Sequence, residues 1–264
     1  MSNSPLVDCT MKSPNHSGAR THSLDRITPH CVVGQFTAEG IGNCFLSSSR
    51  EASCNYGIGT EGRVVLCVDE SNRSWCSSSR SNDQRAVTIE CASNTSSPYA
   101  MNSKVYNKLI DLCVDICKRN GKTKLIWFGD KEKTLNYTPA KNEMVITVHR
   151  WFANKACPGD WLYSRLGDLA KTVTQRLKGT SKTSSKSSKT STPTAKATKT
   201  KSSSSFKVKI TTSNLNVRKG AGTNYGISTV IHKDEVHTIT KTQGNWGKLK
   251  SGAGWICLDY TERT

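Results

Sequence analysis

Two imidazoles and one thiol are the groups in this sequence best placed to do chemistry. His30 closes the start of the apolar run ITPHCVVG, and His149 follows the run MVITV at 144–148. Cys157 comes eight residues after His149 in HRWFANKACPGDW, with Lys155 two residues before it. Imidazole nitrogen and thiolate sulfur are both good zinc donors, and a catalytic zinc takes three protein ligands and keeps a fourth position open. His30, His149 and Cys157 make up such a set. His16 and His22 lie in a polar N-terminal stretch, while His232 and His237 belong to a C-terminal β-like segment. Glu90 sits inside VTIECA, which reads as a buried strand, where a carboxylate is costly unless paired or used. Opposite a zinc-activated water, Glu90 is the candidate general base and Lys155 the candidate support for an oxyanion. Cys157 also precedes a predicted helix, so a thiol nucleophile with a histidine base is an alternative use of the same residues.

The elements that must position these groups are legible in outline. CNYGIG and RVVLCVDE flank Thr60-Glu61-Gly62, which predicts a hairpin. RAVTIECA (85–92) and MVITV (144–148) are expected strands. Val105, Leu109, Leu112, Cys113 and Ile116 recur at three-to-four spacing, predicting an amphipathic helix over 102–119 that stops at Asn120-Gly121. Leu162, Leu166, Leu169, Val173 and Leu177 predict another over 160–177. Strands alternating with helices imply an α/β layer architecture. Between 178 and 205 the composition turns to Ser, Thr and Lys with no acid, which predicts a flexible, self-repelling linker. From 206 onward short β-like runs separated by Gly- and Asn-rich turns predict a small all-β domain.

Composition narrows the partners. The formal charge is +18, and the seven lysines of the linker supply much of it. Such a balance calls for a polyanion, either nucleic acid or an anionic bacterial wall. No nucleic-acid motif occurs, so nucleic acid is not expected. No apolar run approaches the roughly 18 residues of a membrane span, so no stable membrane insertion is expected. The N-terminal MSNSPLVDCTMKSPN lacks the basic start and apolar stretch of a secretory signal, which places the chain in a cytoplasm after synthesis. The 11 cysteines include no CxxC pair. They are read as reduced thiols packing as small hydrophobes, Cys113 and Cys117 among them.

ITPHCVVG, CNYGIGTEGRVVLCVDES, VTIECA and HRWFANKACPGDWL together resemble the type-2 N-acetylmuramoyl-L-alanine amidases, which share a fold with peptidoglycan-recognition proteins. His-x5-Lys-x-Cys-Pro-Gly is the most specific part. The resemblance implies a mixed central sheet flanked by helices over 1–177, with Zn2+ held by His30, His149 and Cys157. It places Glu90 and Lys155 at the reacting centre. The implied reaction is hydrolysis of the amide between N-acetylmuramic acid and L-alanine. Many such proteins are phage endolysins or bacterial autolysins; the missing signal peptide fits a phage lysin held in the host cytoplasm until it acts on peptidoglycan and anionic wall polymers, with an autolysin exported by another route as the alternative. Where relatives often carry Tyr-His or Ala-His in the hairpin, this chain has Cys54 and Asn55 with Tyr56 next, a departure that favours a glutamate-based mechanism. Tyr56 and Trp75 are the candidate substrate contacts. The segment 206–264 resembles a bacterial SH3-like barrel that binds cell walls, with Tyr225, Trp246, Trp255 and Tyr260 as candidate contacts. Two other functions stay open: a non-catalytic peptidoglycan receptor and a Cys–His peptidoglycan endopeptidase. An oligomeric state is not assigned.

Overall fold

Period-two alternation along Arg26–Cys31 sorts this central strand into two faces, and that sorting places the site. In the computed structural model, residues 2–180, 205–221, 225–243 and 246–264 are described. They divide into an N-terminal and a C-terminal compact unit. The expected linker, 178–205, lies almost wholly outside the described residues.

In chain order the first unit contains β1 (Cys9–Thr10), β2 (His16–Ala19), β3 (Arg26–Cys31), α1 (Ala38–Asn43), β4 (Tyr56–Ile58), β5 (Val64–Leu66), β6 (Asn72–Ser74) and α2 (Arg80–Arg85). There follow β7 (Ala86–Cys91), α3 (Ser103–Arg119), β8 (Lys124–Ile126), α4 (Lys131–Asn136), β9 (Glu143–Ile146), α5 (Asp160–Tyr163) and α6 (Leu166–Thr180). Seven strands form one mixed sheet in the order β1-β5-β4-β7-β3-β9-β8. Only the predicted hairpin β4–β5 is antiparallel within it, and β2–β6 make a separate ribbon. The expected α/β layering with a central mixed sheet and flanking helices is what this unit has.

β3 and β7 run parallel with His30 beside Glu90 and Thr28 beside Thr88. Side chains on neighbouring registered positions share a face. Arg26, Thr28 and His30 therefore lie on the same face as Thr88 and Glu90, and Ile27 and Ile89 on the other. The helix predicted over 102–119 is α3; Asn102 caps it by accepting from the backbone N–H groups of Lys104 and Val105. It buries Val105, Leu109, Leu112, Cys113 and Ile116. Each such fully buried aliphatic side chain contributes about 1.5–3 kcal/mol relative to exposure. Cys117 is buried as well, so the cysteine pair on α3 is part of the packing.

The helix predicted over 160–177 is two pieces, α5 and α6. Leu162 and Leu166 are both buried and keep helical spacing across the break at Ser164 and Arg165. The Arg165 N–H instead reaches back three residues to Leu162 O, a tighter turn that redirects the chain. Apolar spacing survives that turn, so the sequence pattern does not reveal it. Among the described residues no helix is long and apolar enough to cross a membrane.

The second unit is all-β. It contains β10 (Phe206–Ile210), β11 (Asn214–Arg218), β12 (Ile227–His232), β13 (Val236–Gln243), β14 (Trp246–Leu249), β15 (Trp255–Cys257) and β16 (Thr261–Arg263). They form one antiparallel sheet around Val208, Ile210, Val217, Ile239, Leu249 and Ile256, an arrangement consistent with an SH3-like domain.

One carboxylate on β9 supports a prediction about acid stability. Glu143 accepts from Lys124 Nζ at 2.8 Å, from the Tyr137 hydroxyl, and from Ala140 N at 3.2 Å. Lys124 first, then Tyr137, holds its carboxyl down at about 2 from an ordinary 4.5. A depressed folded-state value means stability that is complete above about 4.5 and lost as pH falls toward 2. Urea midpoints of wild type and Glu143→Gln should therefore lie apart at pH 6 and converge by pH 2. A constant gap across that range would show that Glu143 does not carry this share of the acid sensitivity.

Candidate active site

Three parallel strands deliver the candidate groups at one edge of the sheet, the carboxyl ends where open α/β sheets commonly bind ligands. His30 and Glu90 are the next-to-last residues of β3 and β7. His149 opens a 3-10 turn, His149–Trp151, just beyond β9. Cys157 lies in the loop that follows, which Arg150 ties together: its side chain pairs with Asp160 at 2.9 Å and donates to Ala156 O, and its N–H donates to Cys157 O at 3.1 Å. Gly159 closes the loop at φ 81°, where an added Cβ would lie 2.8 Å from the Tyr99 Cβ and 2.9 Å from Pro98 O. Only glycine fits both demands, which explains the Cys-Pro-Gly order.

The ligand-type atoms converge. The donor atoms of His30, His149 and Cys157 all lie within 4.8 Å of one another. His30 Nδ1 is 3.2 Å from Cys157 Sγ, and the two imidazole rings are 5.1 Å apart. A tetrahedral zinc with ordinary Zn–N and Zn–S bonds spaces a nitrogen and a sulfur about 3.6 Å apart, so the set is sized for one such ion. Two imidazoles and a thiol are also the borderline-soft donors zinc selects. The residues present fit the metal.

His30 is fully buried, and burial first, then His149, holds its imidazole well below the ordinary range. It is thus neutral, as a metal ligand must be. Burial, then Lys155, likewise lowers His149. Cys157 is pushed well above the ordinary thiol range, by burial first and then by Cys31, so a metal taken up here displaces a proton.

Glu90 reaches the same centre. Its Oε1 stands 3.8 Å from His30 Nδ1 and 3.9 Å from Cys76 Sγ. Burial pushes its carboxyl up to about 7. Its Oε2 is buried without a hydrogen-bond partner, a carboxylate oxygen that nothing in the fold employs. Lys155 is exposed on the rim, close enough for its charge to act on His149. His30, Cys76 and Glu90 form a second donor cluster within 4.8 Å, sharing His30 with the first. One ion at a time can use that imidazole, and the two-imidazole set leaves the carboxylate free.

The two expected substrate contacts fare differently. Tyr56 pairs with Ile89 rather than Glu90, so it sits on the opposite face of the sheet. It is fully buried, its hydroxyl donating to Glu70 at 2.6 Å and accepting from Ser4 N at 2.8 Å. Burial and the Glu70 charge hold its phenol far above the ordinary range. Tyr56 is part of the fold's interior and is not brought to the site. Trp75 directly precedes Cys76, and its indole donates to Ser17 Oγ at 2.6 Å.

Ser78 was not legible as a site residue. Its hydroxyl lies 2.8 Å from His149 Nε2. The loop that presents it is held by the buried carboxylate of Asp83, which accepts from the N–H groups of Cys76 at 3.0 Å and Ser77 at 3.2 Å and from Ser77 Oγ at 2.6 Å. Ser78 itself takes φ 60°, a conformation glycine prefers. In the run SWCSSSR nothing distinguishes one serine from the next.

The N-acetylmuramoyl-L-alanine amidase family matches this chain over residues 20–160, more than half its length. No curated protein sequence matches it. Similar solved structures include one titled as the structure of PlyL, 16% identical, with TM-score 0.45, covering 62% of this chain and 94% of that one. The Staphylococcus aureus hydrolase AmiA is 12% identical with TM-score 0.44, covering 66% and 84%. The Drosophila peptidoglycan recognition protein SD is 18% identical with TM-score 0.44, covering 61% and 92%.

Proposed function

This chain belongs to the N-acetylmuramoyl-L-alanine amidase family, and we propose from that premise that it is a zinc hydrolase cleaving the amide between N-acetylmuramic acid and L-alanine in bacterial peptidoglycan. The observation that carries the reading is the meeting of His30, His149 and Cys157 beside the carboxylate of Glu90. His30, His149 and Cys157 would hold the zinc, which when bound would supply Lewis acidity toward the scissile carbonyl and the attacking water. Glu90 takes the proton from the attacking water and delivers it to the departing alanine nitrogen. Lys155, exposed at the rim, offsets the negative charge that grows on the carbonyl oxygen. Burial of His30 keeps bulk water from competing for its nitrogen.

Ser78 serves as a positioning residue in this scheme. By bonding Nε2 of His149 it leaves Nδ1 for the metal, and such outer partners typically change metal affinity by about 10–100-fold. Ser78→Gly keeps the φ 60° backbone comfortable and deletes only the hydroxyl. It should weaken zinc binding by about 10-fold in a chelator competition while the thermal midpoint of the metal-free protein holds or rises. Unchanged zinc affinity would leave Ser78 with no part in orienting His149.

We assign residues 206–264 to wall binding through an SH3-like domain, joined through 178–205 to a catalytic domain at 1–177. Tyr225 and Tyr260 are exposed and Trp246 and Trp255 half-buried, an aromatic supply suited to glycan or peptide. Tethering to an insoluble substrate raises effective concentration without new catalytic contacts. The decisive test of the reaction is metal analysis of the purified chain with mass spectrometry of digested peptidoglycan. Stem peptides with free L-alanine amino termini and intact muramic acid lactyl carboxylates are expected. Wall binding with no new amino termini would instead identify a receptor.

A further inference from the structure

The polar face of β3 does not end at the metal-ligand end. Below His30, Thr28 Oγ1 lies 2.7 Å from Thr147 Oγ1, and Asn82 Nδ2 donates to Thr28 at 3.1 Å. One further step along the same face, Arg26 Nη1 donates to Asn82 Oδ1 at 3.1 Å. Arg26 is only 5% exposed, its Nε is buried without an acceptor, and among the described residues it makes no ion pair. Asp25, the adjacent carboxylate, is engaged by Arg85, whose Nε stands 2.9 and 3.1 Å from its two oxygens. A buried guanidinium satisfied only by a neutral amide is an expensive arrangement, and folded proteins ordinarily pair such charges. Burial and the neighbouring Arg85 lower it only to about 10, so it stays cationic at neutral pH.

Arg26 faces an open cleft of about 490 Å³, lined also by Arg85, Lys131, Ser79, Trp151 and Phe152. Three cationic groups and one already engaged carboxylate leave the cleft with about two uncompensated positive charges. The volume exceeds a bare ion and suits a small organic molecule. One wall is aromatic, with Trp151 stacked on Trp127 at 5.2 Å and thereby held in place. Ser79, whose hydroxyl accepts from Asn82 N at 3.3 Å, also lines it. None of the residues that line the cleft is a candidate metal ligand or Glu90, although Trp151 shares its short turn with His149.

We propose that this cleft is a binding site for a phosphate ester of a polyol or sugar, with the guanidinium of Arg26 and the ammonium of Lys131 on the phosphate and Trp151 against the carbon skeleton. A doubly ionised phosphate matches two cations that make no ion pair among the described residues, and guanidinium–phosphate bonds are among the stronger charge-assisted hydrogen bonds. The site is independent of the metal and of the amide chemistry.

Calorimetric titration of the full chain with glycerol 3-phosphate, at about 150 mM chloride to screen the exposed lysines, tests the site. A saturable site is expected. Arg26→Met should weaken it by at least about 10-fold, and Lys131→Ala by a few-fold. An apolar chain of similar length removes the desolvation cost of an unpaired buried charge, so Arg26→Met should fold. Should it not, the exposed Lys131→Ala decides alone. Repeating the titration after chelation separates this cleft from oxyanion binding to a metal, and binding here should survive. Inorganic phosphate should bind more weakly than the ester, and glutarate, carrying carboxylates only, weaker still. Equal affinity in wild type and both variants, loss of binding on chelation, or glutarate bound as tightly as the ester would each overturn the proposal.

Discussion

Replacing Cys157 with serine should abolish the proposed hydrolysis of peptidoglycan and lower zinc affinity by more than about 100-fold, beyond the range typical of outer-sphere partners. The reason is ionisation. A thiol gives up its proton to become a strong zinc donor, whereas a serine hydroxyl at the same place stays protonated and binds zinc poorly. In this site the thiol proton is held unusually tightly, because burial and the neighbouring Cys31 raise Cys157 well above its ordinary range. Zinc uptake should therefore strengthen as pH rises, since binding must expel that proton. Cys157→Asp separates the metal reading from a thiol nucleophile. A carboxylate is a competent zinc donor and should restore metal binding with part of the activity, but it cannot do the work of a thiolate nucleophile here. The readouts are metal stoichiometry after dialysis and release of amino termini from purified walls. Activity that survives a strong chelator and vanishes with a thiol alkylator would transfer the chemistry from the metal to the sulfur.

Glu90→Gln is the second large effect: kcat should drop by about 10²–10⁴-fold while zinc binds as before. The amide occupies the carboxylate's volume and keeps the contact with Cys76, but it cannot accept a proton. Burial raises the Glu90 carboxyl to about 7 in the metal-free site. The ionised form is the base, so wild-type activity should climb with pH through the carboxyl's pKa. A nearby dication favours the ionised form, so that limb should fall at or below 7 in the loaded enzyme. The residual activity of Glu90→Gln should lack it. A variant with normal turnover, or one that has lost its zinc, would remove Glu90 from the proton-transfer role.

These expectations rest on a division between local and long-range information. His30, His149, Cys157 and Glu90 could be picked from the chain because ligand chemistry is a property of residue type, and a carboxylate within an apolar strand is anomalous on its face. The hairpin, the strands around Glu90 and before His149, and α3 were legible because turn residues and apolar periods of two or 3.6 are local patterns. The single helix expected over 160–177 was not correct, because the leucine spacing runs unbroken through the turn at Ser164 and Arg165.

What the tertiary structure alone decided is which of these groups meet and which face away. Tyr56 and Glu90 lie on adjacent parallel strands, and a pairing one residue different would have turned the tyrosine toward the face of Glu90 instead of into the interior with Glu70. That register comes from contacts between segments far apart in the chain, which no local pattern encodes. Ser78 meets His149 in a loop that Asp83 holds, and among the described residues Arg26 makes no ion pair while Arg85 engages Asp25. Residue types and spacing pointed to the family and to a candidate donor set; the packing of the sheet and its loops determined the partners, since burial and hydrogen-bond competition exist only in the folded chain.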